Sequence, residues 1–248
     1  MIASLLFGMD RPRMRGALLV RWCALFDVGD GTARVALSRM TAQGELIAED
    51  GSYELAGRLA ARRRDQEWAL APELSPWRGG WELAIVAPGA RPATERQALR
   101  DAMRRSHLGE LREGVWARPD NLPTAARPEA ARVVIEGQCG VWQATPPDDP
   151  VVLADQLFDP AGWARRADDL LARLDAASAR LVEGESGLVA EAFVVGAAAL
   201  VHVRADPLLP PALRPSTWPG AELRDHYRQY RHAFATATAS WFRANRSA

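Results

Sequence analysis

GTARVALSRMTAQGEL, Gly31 to Leu46, runs directly into IAEDGSYEL, Ile47 to Leu55, and this junction decides how the first part of the chain folds. Ala33, Ala36, Leu37 and Met40 recur at spacings of three and four, which makes them one apolar stripe of a helix. The opposite side is left to Arg34, Ser38 and Thr41, with Arg39 beside them. An Arg guanidinium there can fork onto a phosphate or onto the O6 and N7 of guanine, and Ser and Thr hydroxyls suit either target. A solvated surface helix carries a polar face of the same kind, so the sequence that follows has to separate the two readings. Gly44 supplies a left-handed stop, Leu46 and Ile47 begin a strand, Asp50-Gly51 makes a two-residue hairpin turn, and Tyr53 and Leu55 return it. Helix, stop and hairpin in that order describe the recognition helix and wing of a winged helix-turn-helix, and they imply a chain that binds DNA.

Upstream, Ser4 to Gly8 reads as a short apolar turn, and Met14 to Phe26 as a helix whose Leu18, Leu19, Trp22 and Leu25 face inward. Arg11, Arg13 and Arg15 cluster at its start and are expected to lie along a DNA backbone. The residues assigned to the DNA face are Arg13, Arg15, Thr32, Arg34, Ser38, Arg39 and Thr41, together with Ser52 and Tyr53 on the wing. Residues 1–67 hold ten Arg against nine Asp plus Glu, so the basic character is local and does not imply strong sequence-independent binding. Gly57 to Trp68, containing AARRRDQEW, reads as a linking helix with Arg62, Arg63 and Arg64 either at the DNA or in solvent. Pro72, Pro76, Gly79 and Gly80 then mark a boundary.

From Trp81 the pattern changes. WELAIVA is a near-continuous apolar strand, PATERQALRDAMRRS an amphipathic helix, EGVWARP a second strand, and RVVIEGQ, Arg132 to Gln138, a third. Strand, helix, strand, strand is the first part of a ferredoxin-like fold. The last third reads as three helices: Pro160 to Val182 through Trp163, Ala167, Leu170, Leu171 and Leu174; the apolar Leu188 to Val203; and Ala221 to Phe242 with Leu223, Tyr227, Tyr230, Phe234 and Trp241. The Pro-rich connection between the last two is stiff, which reduces the entropy lost on ordering it, and suits either a seam between domains or the wall of a pocket. For a pocket, Trp142, Trp163 and Trp218 would supply apolar or stacking walls and Arg165 or Arg204 the anion anchor, with His202 close to Arg204 in sequence.

With 248 residues and 48% apolar content, the chain can bury a core without metals or disulfides. All 31 basic residues are Arg, and they balance 31 acidic ones. Cys23 and Cys139 have no metal-ligand spacing and read as free thiols of a reducing cytoplasm. The start MIASLLFGMDRPRMRG does not read as a signal peptide. The apolar run Gly187 to Val203 contains Glu191 and His202 and is shorter than the ~20 residues a bilayer span needs, so it reads as a core helix and the expected location is cytoplasmic.

Three stretches carry a wider resemblance: SLLFG at Ser4 to Gly8, RVALSRMTAQGEL at Arg34 to Leu46 with Tyr53 and Leu55 closing the wing, and DPLLPPALRPSTWPG at Asp206 to Gly220. Together they resemble the PaaX family of bacterial repressors, known for controlling phenylacetate degradation. The resemblance implies an α+β chain with an N-terminal winged helix-turn-helix (1–67), a central ferredoxin-like domain similar to the Cas2 nucleases (72–148) and a C-terminal helical domain (149–248). It implies a homodimeric repressor on double-stranded operator DNA, without a cofactor, released by an acyl-CoA such as phenylacetyl-CoA, whose phosphates demand Arg or backbone donors. The chain departs from the family pattern at Glu45, where a Trp is usual; at Ala56, where a Thr caps the next helix; at Ala205, where an Arg is expected; and at Leu200-Val201, where an Arg pair generally stands.

No enzyme is expected. The first central strand ends Val86-Ala87-Pro88, without the acidic metal ligand a Cas2 nuclease would place there. Gly29-Asp30-Gly31-Thr32-Ala33-Arg34 has Arg at the third glycine of a dinucleotide fingerprint, Gly184-Glu185-Ser186-Gly187 is not GxSxG, and His226 and His232 fall on different faces of a helix. A nucleic-acid-associated structural or RNA-binding protein without a ligand switch stays open as the second reading, and a metal-dependent nuclease as the third.

Overall fold

The computed structural model describes residues 1–9, 12–146, 149–183 and 188–244; Arg11 and the Gly184–Gly187 segment lie outside the described residues. The apolar start is a short helix, α1 (Ile2–Gly8), that buries Ile2, Leu5, Leu6 and Phe7. The next segment differs from the sequence reading, because Arg13–Arg15 is a strand, β1, and helix α2 (Gly16–Ala24) begins only afterwards. The residues Arg13, Met14 and Arg15 alternate exposed, buried, exposed, the period of a strand. With the later start, α2 buries Leu19, Val20, Trp22 and Cys23, while Leu18 and Leu25 are only half-buried. Helix α3 (Asp30–Ala42) and the hairpin β2 (Leu46–Glu49) and β3 (Ser52–Leu55) follow, and β1 completes a three-stranded sheet in the order β1-β3-β2. Helix α4 (Gly57–Leu70) then runs through the arginine-rich stretch.

The central segment is a complete βαββαβ unit: β4 (Trp81–Val86), α5 (Ala93–Arg105), β5 (Gly109–Arg112), β6 (Val115–Pro119), α6 (Glu129–Gln138) and β7 (Cys139–Ala144). The sheet order β5-β6-β4-β7, antiparallel throughout, is that of a ferredoxin-like fold. One expectation is corrected here: RVVIEGQ is part of α6, and the strand is the CGVWQA that follows it. A strand would put Val133 and Ile135 on one face, yet Val133 is 61% exposed and Ile135 only 4%. The helical spacing Ala131 to Ile135 places both against Leu99, Ala102 and Met103 of α5, over Ala84 and Trp116 of the sheet, and this packing overrides the β-branched run. The other sheet face carries Trp81 and Ala117 against Leu153 and Ala154 of α7 (Pro150–Phe158), a helix the sequence reading does not include.

Leu209 and Leu213 of the Pro-rich connection complete that second core. The connection is anchored by Arg118, which is fully buried on β6 and donates to the carbonyls of Ser106 (3.2 Å), His107 (3.2 Å) and Pro119 (3.0 Å) and to Asn121 Oδ1 (3.1 Å). Asn121 in turn donates to the Leu208 carbonyl at 2.8 Å, and the Leu208 amide donates to Asp206 Oδ1 at 2.8 Å. Burial, with Arg127 adding like-charge repulsion, lowers the Arg118 pKa to about 9, so the guanidinium stays charged at neutral pH. Arg127 itself forms a buried two-point ion pair with Glu82, at 2.6 and 2.7 Å.

Three long helices end the chain: α8 (Pro160–Val182), α9 (Val189–Arg204) and α10 (Gly220–Ala244). By compactness the chain forms two units that do not follow chain order. One comprises Met1–Leu70, Asp169–Arg204 and Glu222–Ala248, the other Ala71–Asp168 and Ala205–Ala221. The first is built around Trp22, fully buried, whose ring meets Phe26 (5.5 Å), Phe193 of α9 (5.4 Å) and Phe234 of α10 (6.2 Å) edge-on. Trp22→Ala should cost about 3–5 kcal/mol and lower the melting temperature by circular dichroism. An unchanged melting curve would mean that this cluster does not hold the unit together.

Candidate nucleic-acid interface

The exposed side of α3 is set by its buried one. Ala33 and Leu37 are buried and Ala36 and Met40 half-buried, which turns Thr32, Arg34, Val35, Ser38 and Arg39 outward. Asp30 lies in the first turn, where its charge favours the helix dipole. At the other end the Glu45 amide donates to the Met40 carbonyl (2.9 Å) and the Gly44 amide to Thr41 (3.0 Å), with Gly44 at φ +68°. That pair of bonds is a Schellman stop, and it turns the chain directly into the wing. Thr41 is half-buried and its hydroxyl donates back to the Leu37 carbonyl at 2.9 Å, so it sits at the edge of the polar face. Among the described residues no hydrogen bond or ion pair within the chain engages the side chains of Arg34, Ser38 or Arg39. Val35, 69% exposed in the middle of that face, was missed by sequence reasoning. An apolar residue on a polar face looks like noise in a periodicity count, although an apolar side chain there can meet a thymine methyl.

The wing sheet has two faces. Register pairs Arg13 with Glu54, Met14 with Tyr53 and Arg15 with Ser52, so Arg13, Arg15, Ser52, Glu54, Ile47 and Glu49 share the outer face. Arg13 is held there by Glu49 at 2.8 Å. Asp50 and Gly51 both have positive φ, as the tight hairpin requires. Tyr53 belongs to the inner face: a Cβ on Gly16 would come within 2.8 Å of its ring, so the tyrosine packs over that glycine. It is half-buried there, on the face opposite the outer-face residues it was grouped with.

Glu45 is buried, and Arg58 of α4 ion-pairs and hydrogen-bonds with it. Where the resemblance led one to expect a Trp, the chain has a carboxylate whose charge is matched from the next helix. The turn between them is tight, since a Cβ on Gly57, at φ +48°, would fall 2.6 Å from the Gly44 carbonyl oxygen.

The six residues assigned to an effector are divided between the two compact units. Trp163 and Trp218 stack on each other at 4.4 Å with Trp163 buried, and Arg214 lies over Trp218. Trp142 stands 61% exposed on the edge strand β7, and Arg165 is exposed on α8. His202 and Arg204 belong to the other compact unit, at the end of α9. Arg204 lines a cavity of about 200 Å³ there, together with residues of α1, α4 and α10. Cys23 and Cys139 are free thiols whose pKa values burial pushes up. Among the described residues no group of three or more His, Cys, Asp and Glu is placed to hold a metal ion, and no helix is long and apolar enough to cross a membrane.

A winged helix-turn-helix combined with a ferredoxin-like domain and a set of C-terminal helices defines the class of protein. Family models agree with it segment by segment: PaaX-like protein over residues 1–59, PaaX protein central Cas2-like domain over 74–150, and PaaX-like protein C-terminal domain over 161–244. The chain belongs to the PaaX-like family. Among solved structures it is similar to the uncharacterized protein Rv0674 from Mycobacterium tuberculosis, with 35% identity and a TM-score of 0.69 over 96% of this chain and 95% of that one. No curated protein matches the chain.

The junction of α3, wing and α4 can be tested by paired glycine variants. Gly57→Ala should lose at least about 1 kcal/mol in chemical denaturation, because both its φ and the Gly44 carbonyl oppose a Cβ. Gly31→Ala, with open space around it inside α3, should be neutral or stabilising. Equal effects would contradict the close approach at Gly57.

Proposed function

We propose that the chain is a DNA-binding transcriptional repressor of a catabolic operon for aromatic or acyl compounds, acting as a homodimer and released by a small-molecule effector. The observation that carries the reading is the outward face of α3, where Arg34, Ser38 and Arg39 surround Val35 and have no competing partner among the described side chains. The face offers two bidentate guanidinium donors, a short hydroxyl and an apolar contact, a set that suits base edges in a major groove. The wing adds Arg15 and Ser52 on its outer face as phosphate contacts, whereas Arg13 must share its charge with Glu49. Two such winged helices in a dimer match half-sites separated by whole turns of the duplex, and an effector that changes their spacing lowers affinity. The family membership supports regulation.

A gel shift with the DNA upstream of the coding region should show a discrete, salt-sensitive complex. Arg34→Ala should weaken it by about 1–3 kcal/mol if the guanidinium reads a base, with the circular dichroism spectrum unchanged. Full affinity in a folded Arg34→Ala, Arg39→Ala double variant would remove α3 from the interface. Magnesium- or manganese-dependent cleavage of the same DNA, abolished by a single Asp or Glu substitution, would replace the repressor reading with a nuclease.

A further inference from the structure

Val35 is 69% exposed in the middle of α3. Exposed valines stand on other helices too, Val133 and Val194 among them, and exposure by itself marks no site. Val35 is set apart by what surrounds it. At about 3.6 residues per turn, the exposed sector of α3 runs from Arg34 through Ser38 and Val35 to Arg39, so the valine lies between two guanidinium groups. Among the described residues no hydrogen bond or ion pair within the chain engages either of them. Gly31, one turn before Val35, and Ala42, one turn after Ser38, are exposed as well, and a Cβ on Gly31 would meet nothing within 4 Å. The valine methyls are therefore the outermost apolar groups along the middle of the sector, with a longer cationic side chain to each side.

We propose that Val35 is a specificity-determining residue that packs on the C5 methyl of a thymine in the major groove, within two base pairs of a guanine read by Arg34 or Arg39. The inference rests on the reading of the chain as a DNA-binding regulator with α3 in the groove, and it names what one position of the bound site must contain. Chemistry decides the base. Valine has no donor or acceptor, so it gains only by covering an apolar group, and among the four bases thymine alone presents a methyl in the major groove. Opposite a cytosine amine or a guanine carbonyl it would displace water without replacing the lost hydrogen bonds. Its side chain keeps one strongly preferred rotamer in a helix, so little entropy is lost on contact. Reach decides the neighbourhood. A side chain this short touches a base only if α3 lies close to the base edges, an approach that the small Gly31 and Ala42 leave open. Arg34 and Arg39 are separated by about 7.5 Å along the helix axis, close to the roughly 6.8 Å of two base-pair steps. The same residue favours DNA over RNA, because uracil lacks the methyl and the deep, narrow RNA major groove does not admit side chains.

The test selects binding sites for the full chain from duplexes with a randomised core, then measures affinity for the selected duplex with deoxyuridine in place of each thymine in turn. Selection should return a fixed thymine within two base pairs of a fixed guanine. Deoxyuridine at that thymine removes only the methyl, and it should weaken binding about fourfold, the gain from burying one apolar carbon. At the same position 5-methylcytosine should be bound more tightly than cytosine. Val35→Ser changes an exposed position to a residue that is no poorer a helix former, and this variant should bind the thymine and deoxyuridine duplexes equally. Arg34→Ala should bind more weakly and keep its sensitivity to the methyl. A selected site in which every thymine can be exchanged for deoxyuridine without loss, or a Val35→Ser variant with the methyl preference of the parent, would overturn the proposal and leave DNA binding intact. A chain that shifts no duplex, or that prefers RNA of the same sequence, would remove the DNA-binding reading and the proposal with it.

Discussion

Burial of Trp22 is the constraint on which the DNA-facing half of this protein depends. A winged helix of some 55 residues buries little apolar surface by itself, and here the core of α2 is completed by Phe193 and Phe234, which arrive from far along the sequence. The Arg224 guanidinium adds a buried hydrogen bond to the Ala69 carbonyl at the end of α4, at 2.8 Å. The recognition helix therefore rests on a base that includes the C-terminal helices. Any event that repacks those helices reaches α3 through α2 without a hinge or a long pathway, because close-packed aromatic rings have few alternative arrangements.

The other unit solves a different problem, which is how to fix a proline-rich segment that makes few backbone hydrogen bonds of its own. Proline lacks the amide donor, so the segment from Asp206 is held through its carbonyls. His107 Nδ1 meets the Asp206 carbonyl at 2.8 Å and Asn121 meets that of Leu208, while Arg118 orients Asn121 from the sheet. A buried guanidinium is expensive unless its donors are used, and Arg118 uses its donors on three carbonyls and an amide oxygen. The Trp163–Trp218 stack closes the same segment against α8. Those tryptophans serve packing within the unit that also holds the four-stranded sheet.

What was legible in the sequence follows the strength of local signals. The α3 stop at Gly44, the Asp50-Gly51 turn and the α4 helix are specified by residues adjacent to one another, and each stands where periodicity and turn chemistry put it. Strand β1 was not legible, because three residues carry too little periodicity and their partner lies some forty residues on. The α6 segment misled for the opposite reason: Val133-Val134-Ile135 has strand propensity, and only the neighbouring α5 settles the helix. Of the candidate site, the polar face of α3 was readable from spacing alone. The effector set was assembled from residue types, and residue type does not say that Trp163 would be spent on Trp218 or that Arg204 would lie in the other compact unit.

The departures from the family pattern acquire physical meaning when each is placed. Glu45 stands where the resemblance led one to expect a Trp, and it is paired by Arg58 across the same junction. Ala56 lacks the hydroxyl of an N-cap, worth about 1 kcal/mol, yet its amide donates to the Glu45 carbonyl at 2.8 Å and its carbonyl accepts the first bonds of α4, which keeps the helix start in register. Those two changes preserve the fold around the recognition helix. Leu200 and Val201 line a cavity whose wall also carries Arg204, one turn further along the same helix. At the junction of α3, wing and α4 the chain is therefore closed by an ion pair and a backbone hydrogen bond, and neither needs the Trp or Thr side chain that the resemblance led one to expect.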